Sequence, residues 1–462
     1  MKKIMIFAAV TLLASSCGVY NKYERPDVNT QGLIRDAVSD RDTLTVQDTA
    51  SFGKLPWREV FTDPQLQAYI EQGLEKNANL MNATLTVQMY EQMLKATKLA
   101  FLPSVAIGGT SPMGTIATTY TDPSVTTRSY SLPISASWTL DLFGNVLSQK
   151  RSTQMKMLGM KDYQMAVRAQ VISGIANSYY TLLMLDEQLA IVTEMSKMAK
   201  ETWEMMQQQF NLGRVRSTSV QSAEAAYLST QTQANDFRRQ IRATENALSL
   251  LIGQAGQQIP RSTLSQQSLP QEFAIGVGVA LLKNRPDVHN AEMQLASCFH
   301  DIQTARSQFY PSITIGASLA FTNANGALNP GKWLATLLGS LTQPIFMRGA
   351  LRANLKVSKL QYEQAFNSWQ NIILQAGNEV SNALVNYNGY DANSKLEAQR
   401  VAVLQKNVDD TRQLYQSSGG SYLEVLTAQT QLLSAQLSQV TDDFYKMQAV
   451  VTLYQALGGG GE

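Results

Sequence analysis

The chain has 462 residues, only 16% of them charged, and its 38 basic residues nearly balance its 36 acidic ones. Without a clustered basic excess, an ordinary nucleic-acid-binding protein is excluded. A hydrophobic fraction of 44% supplies a core but excludes a polytopic helical membrane protein, and two cysteines exclude a disulfide framework.

The N-terminus has the pattern of an export signal. Lys2 and Lys3 precede an apolar run at residues 4–14, which is too short to cross a membrane as a helix. Small residues then lead to Cys17, and this sequence resembles the lipobox of bacterial lipoproteins. We predict that residues 1–16 are a signal peptide and that Cys17 is the lipid-attachment site.

The first half of the chain is predicted to contain two strands followed by a very long helix. Apolar and small polar residues alternate from 130 to 142, and residues 105–113 form a second candidate strand. Proline is absent from 134 to 259, so a helix can run from about 145 to 210, before a turn at Gly213. Apolar residues in this helix recur at a spacing of about 3.5, which predicts side-by-side packing of helices.

The second half shows the same order of elements. Residues 313–321 and 337–346 are predicted strands, and proline is absent from 345 onward. A second long helix is therefore predicted from 349 to 415, before the glycines at 419–420. The sequence FLPSVAIG at 101–108 matches FYPSITIG at 309–316. We interpret the chain as two internal structural repeats.

The number of strands has a consequence for assembly. Each predicted strand is close to the 9–11 residues that a transmembrane strand needs. A barrel made by one chain needs at least about 8 strands, and this sequence supplies four candidates. If these strands cross a membrane, several chains must share one barrel.

Several motifs resemble the TolC family of outer-membrane efflux proteins: residues 285–288 (RPDV), 309–312 (FYPS) and 454–460 (YQALGGG). Residues 421–426 (SYLEVL) and the lipobox resemble its OprM/NodT-like lipoprotein branch, which serves RND-type tripartite pumps. The resemblance implies an α+β fold. It implies a homotrimer whose twelve-stranded outer-membrane β-barrel, with four strands per chain, continues into a long α-helical periplasmic barrel with a mixed equatorial collar.

The same resemblance implies the function. The family member would be a lipid-anchored passive duct in the outer membrane, exporting small molecules or drugs. Its partners would be outer-membrane lipid, a periplasmic adaptor (membrane fusion) protein and an inner-membrane RND transporter. Two alternatives remain: the outer-membrane duct of a type I protein secretion system, and a structural coiled-coil lipoprotein without a pore.

These expectations divide the chain into six segments. They are a signal peptide (1–16), a lipidated N-terminus with a collar segment (17–60), a first repeat (61–253), a collar linker (254–280), a second repeat (281–457) and a C-terminal tail (458–462).

The resemblance also implies a gate at the periplasmic ends of the helices. By alignment with the family pattern, Tyr415 and Glu424 are predicted constriction residues, and Ser219 is the counterpart in the first half. Arg412 lies three residues before Tyr415, and we predict that it links neighbouring helices. A ring of three Glu424 carboxylates would favour cations at the mouth. Two of these residues also have a purely structural explanation. An acidic residue such as Glu424 is favourable at a helix N-terminus, and an arginine such as Arg412 is common on a solvated surface.

The turns between the helices are the predicted docking tips for the adaptor. The contact residues that the resemblance implies are Gly213, Arg214, Val215, Gly419 and Ser421. Turn geometry with positive φ explains the glycines equally well.

No catalytic, cofactor or metal site is predicted. His289 and His300 share a helix face but lack further ligands, and Cys298 lies on another face. Residues 276–278 (GVG) are an incomplete dinucleotide-binding motif. The protein is therefore predicted not to be an enzyme.

Overall fold

The structure is a computed structural model, and it describes residues 21–28, 33, 52–53, 55–107, 117–122, 125–268, 270, 285–324, 332–417 and 421–461. Cys17, Gly419 and residues 276–278 lie outside this set. The described residues group into two units. We call them the sheet unit (within 1–28, 85–161 and 290–371) and the helix unit (within 29–84, 162–289 and 372–462).

Helices account for most of the described chain. Three short ones come first, α1 (Trp57–Val60), α2 (Pro64–Lys76) and α3 (Ala78–Leu99). The others are α4 (Asn145–Asn211), α5 (Ser217–Leu251), α6 (Pro286–Ser307), α7 (Ala350–Gln416) and α8 (Tyr422–Ala456). The pairs α4–α5 and α7–α8 have the same lengths, 67 and 35 residues each. The two long helices begin and end within one residue of the predicted bounds.

None of the described helices combines the length and the apolar character that a membrane span requires.

The strands are β1 (Ser104–Ile107), β2 (Ala117–Asp122), β3 (Val125–Leu140), β4 (Ser312–Ala324) and β5 (Lys332–Thr342), all antiparallel. Both β1 and β2 pair with β3, at residues 134–137 and 125–129 respectively, while β4 covers the other edge of β3. The sheet is therefore four positions wide, in the order β1/β2, β3, β4, β5. Among the described strands, β1/β2 and β5 each leave one edge without a partner.

One predicted strand needs correction. The segment predicted at 337–346 begins earlier and ends at Thr342. Pro344 has no N–H to donate, so it cannot continue the ladder, and the pairing of Lys332–Ala335 with β4 was not apparent from the sequence. Of the strand predicted at 105–113, residues 105–107 lie in β1 (Ser104–Ile107), whereas residues 108–113 lie outside the described residues, so its full length stays a prediction; β2 was not predicted.

The core of the helix unit follows the predicted apolar stripe of α4. Ile175, Tyr179, Leu182, Val192 and Met206 are at most 1% exposed and recur at the spacing of a sustained helical seam. Phe210, the last residue of the predicted stripe, is 42% exposed because it lies beyond the final buried turn. The stripe is therefore a buried core that ends near the tip of the helix.

A hydrogen-bond network around Asp63 holds the loop after α5. Asp63 Oδ1 accepts from Gln65 N at 2.8 Å, which caps α2. Its Oδ2 accepts from Tyr179 Oη at 2.7 Å and from Gln267 Nε2 at 2.9 Å, and also from Ser262 Oγ. Burial raises the pKa of Asp63, but these donors outweigh burial, so its pKa lies below the usual value.

This network predicts an acid-dependent loss of stability. The lowered pKa of Asp63 means that its stabilising contribution is complete above the pKa of the unfolded carboxyl and is lost as pH falls through the folded value. Asp63→Asn should cost about 1–3 kcal/mol at pH 7, since it removes the charged acceptor. Thermal unfolding at pH 7 and pH 3 should show a smaller acid-induced decrease in the variant. An equal decrease in both proteins would contradict the assignment.

Candidate functional site

The turn between α4 and α5 is closed by backbone hydrogen bonds. The N–H of Gly213 donates to Phe210 O at 2.8 Å, and the N–H of Arg214 donates to Gln209 O at 2.9 Å. This is the Schellman arrangement, which needs a left-handed residue, and Gly213 has φ of 70°. Gly213 and Arg214 are exposed, while Val215 is half-buried.

The tip carries apolar residues that the motif comparison missed. Leu212 is 65% exposed and Leu423 is 66% exposed, and each lies beside a predicted docking residue. Their positions in the sequence could have predicted this exposure, because a leucine next to a tight turn lies beyond the buried core of the helices. The exposed surface at the tip therefore includes apolar side chains in addition to the predicted docking residues.

Val215 and Tyr415 belong to one apolar cluster, which we call the tip cluster. Met206, Val220 and Ala223 form its buried centre, and Trp203, Met205, Val215, Tyr415 and Tyr422 pack around them. The Tyr415 hydroxyl donates a weak hydrogen bond to Met206 Sδ at 3.8 Å. The cluster thus joins the ends of α4, α5, α7 and α8.

The tyrosines of this cluster stay neutral at physiological pH. Burial, and secondarily Tyr415, raises the pKa of Tyr422 to about 12. Burial also raises the pKa of Tyr415. The tip cluster is therefore held by packing and neutral polar groups, and its tyrosines do not act as a pH switch.

Glu424 has a local structural role. Ser421 Oγ accepts from Leu423 N at 3.3 Å, and the Glu424 carboxylate accepts from Ser421 N at 3.2 Å. This is a capping box at the start of α8. The spacing Ser-x-x-Glu at 421–424 was visible in the sequence and predicts such a cap.

Glu424 also lines an open groove of about 390 Å³ beside α7. Its other lining residues are polar or small except for Leu423: Asn407, Thr411, Ser421, Leu423, Thr427, Ala428 and Gln431. The carboxylate therefore faces a solvent-filled space as well as the helix end. This placement is compatible with a role in a mouth that water and ions cross.

Arg412 connects two helices of the same chain. Its Nη2 lies 3.3 Å from Glu201 Oε2, which belongs to α4, and both side chains are about half exposed. Glu201 was missed because an acidic residue on a long helix carries no signal of its distant partner. Ser219 lies in the first turn of α5, where its N–H donates to Arg216 O at 3.0 Å.

The histidines and the described cysteine do not form a metal site. His289 Nδ1 lies 2.6 Å from Asp162 Oδ2. Burial raises the pKa of Asp162, with His289 opposing the shift. Burial lowers the pKa of His300, and Arg151 adds to this, while burial raises the pKa of Cys298. Over the described part of the chain, no group of three potential ligands comes together.

The sequence profile of the outer membrane efflux protein family matches residues 69–254 and 277–459, which include both helix pairs and the whole described sheet. The chain belongs to the outer membrane efflux protein family. This protein is therefore an outer-membrane efflux channel, and the predicted membership of this family is confirmed.

Individual relatives resemble this family member over nearly their full length. The cation efflux system protein CusC of Escherichia coli K12 is 26% identical over 454 residues, covering 98% of each chain. The probable outer membrane lipoprotein SilC of Salmonella typhimurium is 24% identical over 463 residues, covering 99% of this chain and 98% of the relative. A crystal structure of CusC matches with a TM-score of 0.83 and 25% identity, covering 95% of this chain and 99% of that one.

Proposed function

We propose that the protein is the outer-membrane duct of a tripartite RND-type efflux system and that it works as a homotrimer. The observation that carries this proposal is the sheet, which is four positions wide and leaves two edges without partners among the described strands. Unpaired backbone groups are not tolerated at an edge in lipid. Three copies joined edge to edge would form a closed twelve-stranded barrel, and the two-repeat architecture supports this closure.

The long helices would continue the barrel into the periplasm. Helices α4 and α7 have 67 residues each, so each would reach about 100 Å at 1.5 Å per residue. The segments 17–60 and 254–280 would supply the collar, and acylation of Cys17 would add a lipid anchor. The cargo would be chosen upstream by the inner-membrane RND transporter.

The helix tips would serve two purposes. Gly213, Arg214, Val215, Gly419 and Ser421 would meet the periplasmic adaptor, and the exposed Leu212 and Leu423 would add apolar contact. The Arg412–Glu201 pair and the tip cluster would hold the closed gate. Since an exposed ion pair contributes only about 0–1 kcal/mol, adaptor contact could release it.

If Glu424 lines the gate, we expect the substitution Glu424→Gln to reduce the preference of the channel for cations. Glutamine keeps the capping box, so the variant removes charge while keeping the start of α8. Each carboxylate at about 8 Å from a passing cation contributes about 0.5 kcal/mol in water. Three of them should give about a tenfold cation preference, and the variant should lose most of it.

Planar-bilayer recordings test both the duct and its gate. The unmodified protein should conduct, and Arg412→Gln with Tyr415→Ala should increase the single-channel conductance because the links at the tip are removed. Glu75→Gln is the matched control, since Glu75 is an exposed carboxylate on α2. No conductance in any of these proteins would favour the alternative of a coiled-coil lipoprotein without a pore.

A further inference from the structure

The start of α7 carries a row of basic side chains, which we call the basic stripe. Arg348 lies two residues before the first residue of the helix, and Arg352, Lys356 and Lys359 follow at intervals of four, four and three residues. This spacing places the helical members on one face. All four are exposed. Within the described part of the chain, none of them pairs with a carboxylate.

Two basic residues on the corresponding part of α4 are paired instead. Lys156 lies 3.5 Å from Asp301, and Lys161 lies 3.2 Å from Glu91. Lys150 lies 5.9 Å from the centre of the Phe101 ring, and neither Lys150 nor Arg151 pairs with a carboxylate in the described part of the chain, so the charge of that helix is only partly balanced within the sheet unit. The stripe on α7 leaves its positive charge available to an external anion.

Three exposed apolar residues come immediately before the stripe, and we call them the apolar trio. Ile345 is 95% exposed, Phe346 is 81% exposed and Met347 is 53% exposed. Consecutive large apolar side chains in water are unfavourable unless another apolar phase covers them. An apolar segment followed by a positive one is complementary to the acyl chain and headgroup of a lipid.

The sheet shows where this surface lies. Strand β5 ends at Thr342, opposite Ser312 at the start of β4. At this same end, Phe143 and Tyr310 stack with ring centroids 4.9 Å apart. Aromatic side chains are enriched where membrane-spanning segments meet water. Arg348 is six residues beyond Thr342, hence within about 20 Å of it.

We propose that the apolar trio and the basic stripe bind anionic phospholipid in the periplasmic leaflet of the outer membrane. The inference rests on the proposed insertion of the sheet into that membrane. Ile345, Phe346 and Met347 enter the acyl region, and the guanidinium groups of Arg348 and Arg352 bind headgroup phosphate. Lys356 and Lys359 lie one and two turns further, within the roughly 8–10 Å reach of surface charge.

The expected effect follows from charge. A basic residue near an anionic surface strengthens binding by about fivefold, so four of them should give at least a tenfold preference for phosphatidylglycerol over phosphatidylcholine. The variant Arg348→Gln/Arg352→Gln/Lys356→Gln/Lys359→Gln should lose this preference. A control removes four exposed charges from the helix unit: Lys197→Gln/Arg238→Gln/Arg242→Gln/Lys406→Gln. The control should keep the preference.

Native mass spectrometry of the full-length protein in detergent tests the proposal, with each lipid supplied separately at equal concentration. Equal retention of the two lipids by the unmodified protein would overturn it, as would an equal loss in both variants. Complete displacement of phosphatidylglycerol by inorganic phosphate alone would also overturn it, because the trio would then contribute nothing. If the fourfold variant fails to assemble, Lys356→Gln/Lys359→Gln should still reduce the preference severalfold.

The same samples separate this inference from the proposed function. Trimers that conduct in bilayers but retain both lipids equally would contradict only the lipid surface. Monomers without conductance would contradict the proposed duct, whatever lipid they retain.

Discussion

Replacing Arg261 by alanine should destabilise the helix unit by about 3–5 kcal/mol, the usual effect of leaving a buried charge without its partner. Arg261 Nη1 donates to Glu245 Oε1 at 2.7 Å, and Nη2 donates to Asp186 Oδ1 at 2.8 Å. The side chains of Arg261 and Glu245 are only 11% and 6% exposed. The bonds to Asp186 and Glu245 together raise the pKa of Arg261 against the opposing effect of burial, so the guanidinium stays charged.

The chain contains a matched exposed pair. Arg58 lies 2.6 Å from Glu71 and 4.4 Å above the ring of Trp57, but both members of the ion pair are more than half exposed. Because water screens this pair, Arg58→Ala should cost only about 0–1 kcal/mol. Both arginines contact a carboxylate at a similar distance, but Arg261 is buried and has two acidic partners, whereas Arg58 is exposed and has one.

Hydrogen–deuterium exchange measures the two effects locally. Peptides covering 245–268 should lose protection strongly in Arg261→Ala, whereas peptides covering 57–76 should change little in Arg58→Ala. The double variant Arg261→Met/Glu245→Leu should recover much of the lost protection, because it removes the stranded charge. Equal losses in the two single variants would contradict the assignment of a buried ion pair.

Replacing Gly253 by alanine should be nearly as damaging, at about 2–5 kcal/mol. Gly253 ends α5 with φ of 69°, and a Cβ atom there would lie 2.8 Å from Lys76 O. The left-handed conformation costs about 1–2 kcal/mol for a residue with a side chain. Displacing the backbone at the end of α2 adds about 1–3 kcal/mol, as overpacking usually does.

Gly213 provides the control for this prediction. Its φ is 70°, nearly the same, but a Cβ atom there would meet nothing within 4 Å. Gly213→Ala should therefore cost only the conformational strain, about 1–2 kcal/mol. Thermal unfolding at one scan rate, followed by circular dichroism, should give a clearly lower midpoint for Gly253→Ala than for Gly213→Ala. Equal midpoints would contradict the prediction, because they would mean that the contact between the new Cβ atom and Lys76 O does not lower the free energy of unfolding.

The sequence was informative where structure depends on local rules. Proline is disfavoured in the interior of a helix, and glycine commonly follows its last residue. The bounds of α4 and α7 could therefore be predicted within one residue. The alternation from residue 130 onward identified β3, the longest of the described strands. The family motifs identified the family because they keep their order and spacing along the chain.

Contacts between distant residues could not be predicted in the same way. Arg261 lies 75 residues from Asp186 along the chain, and nothing near either residue identifies the other. The same holds for Arg412 and Glu201, whose separation is 211 residues. Strand β2 was missed because its polar sequence, ATTYTD, has no apolar alternation that would predict a strand, although its backbone pairs with β3.

The mass of the purified particle tests the central claim most directly. The full-length chain has a mass of 50.9 kDa, and we expect native mass spectrometry in detergent to show particles of three processed chains. The two sheet edges that lack partners among the described strands would then be paired between subunits. A stable monomer that keeps its full strand content in the same detergent would contradict the shared barrel.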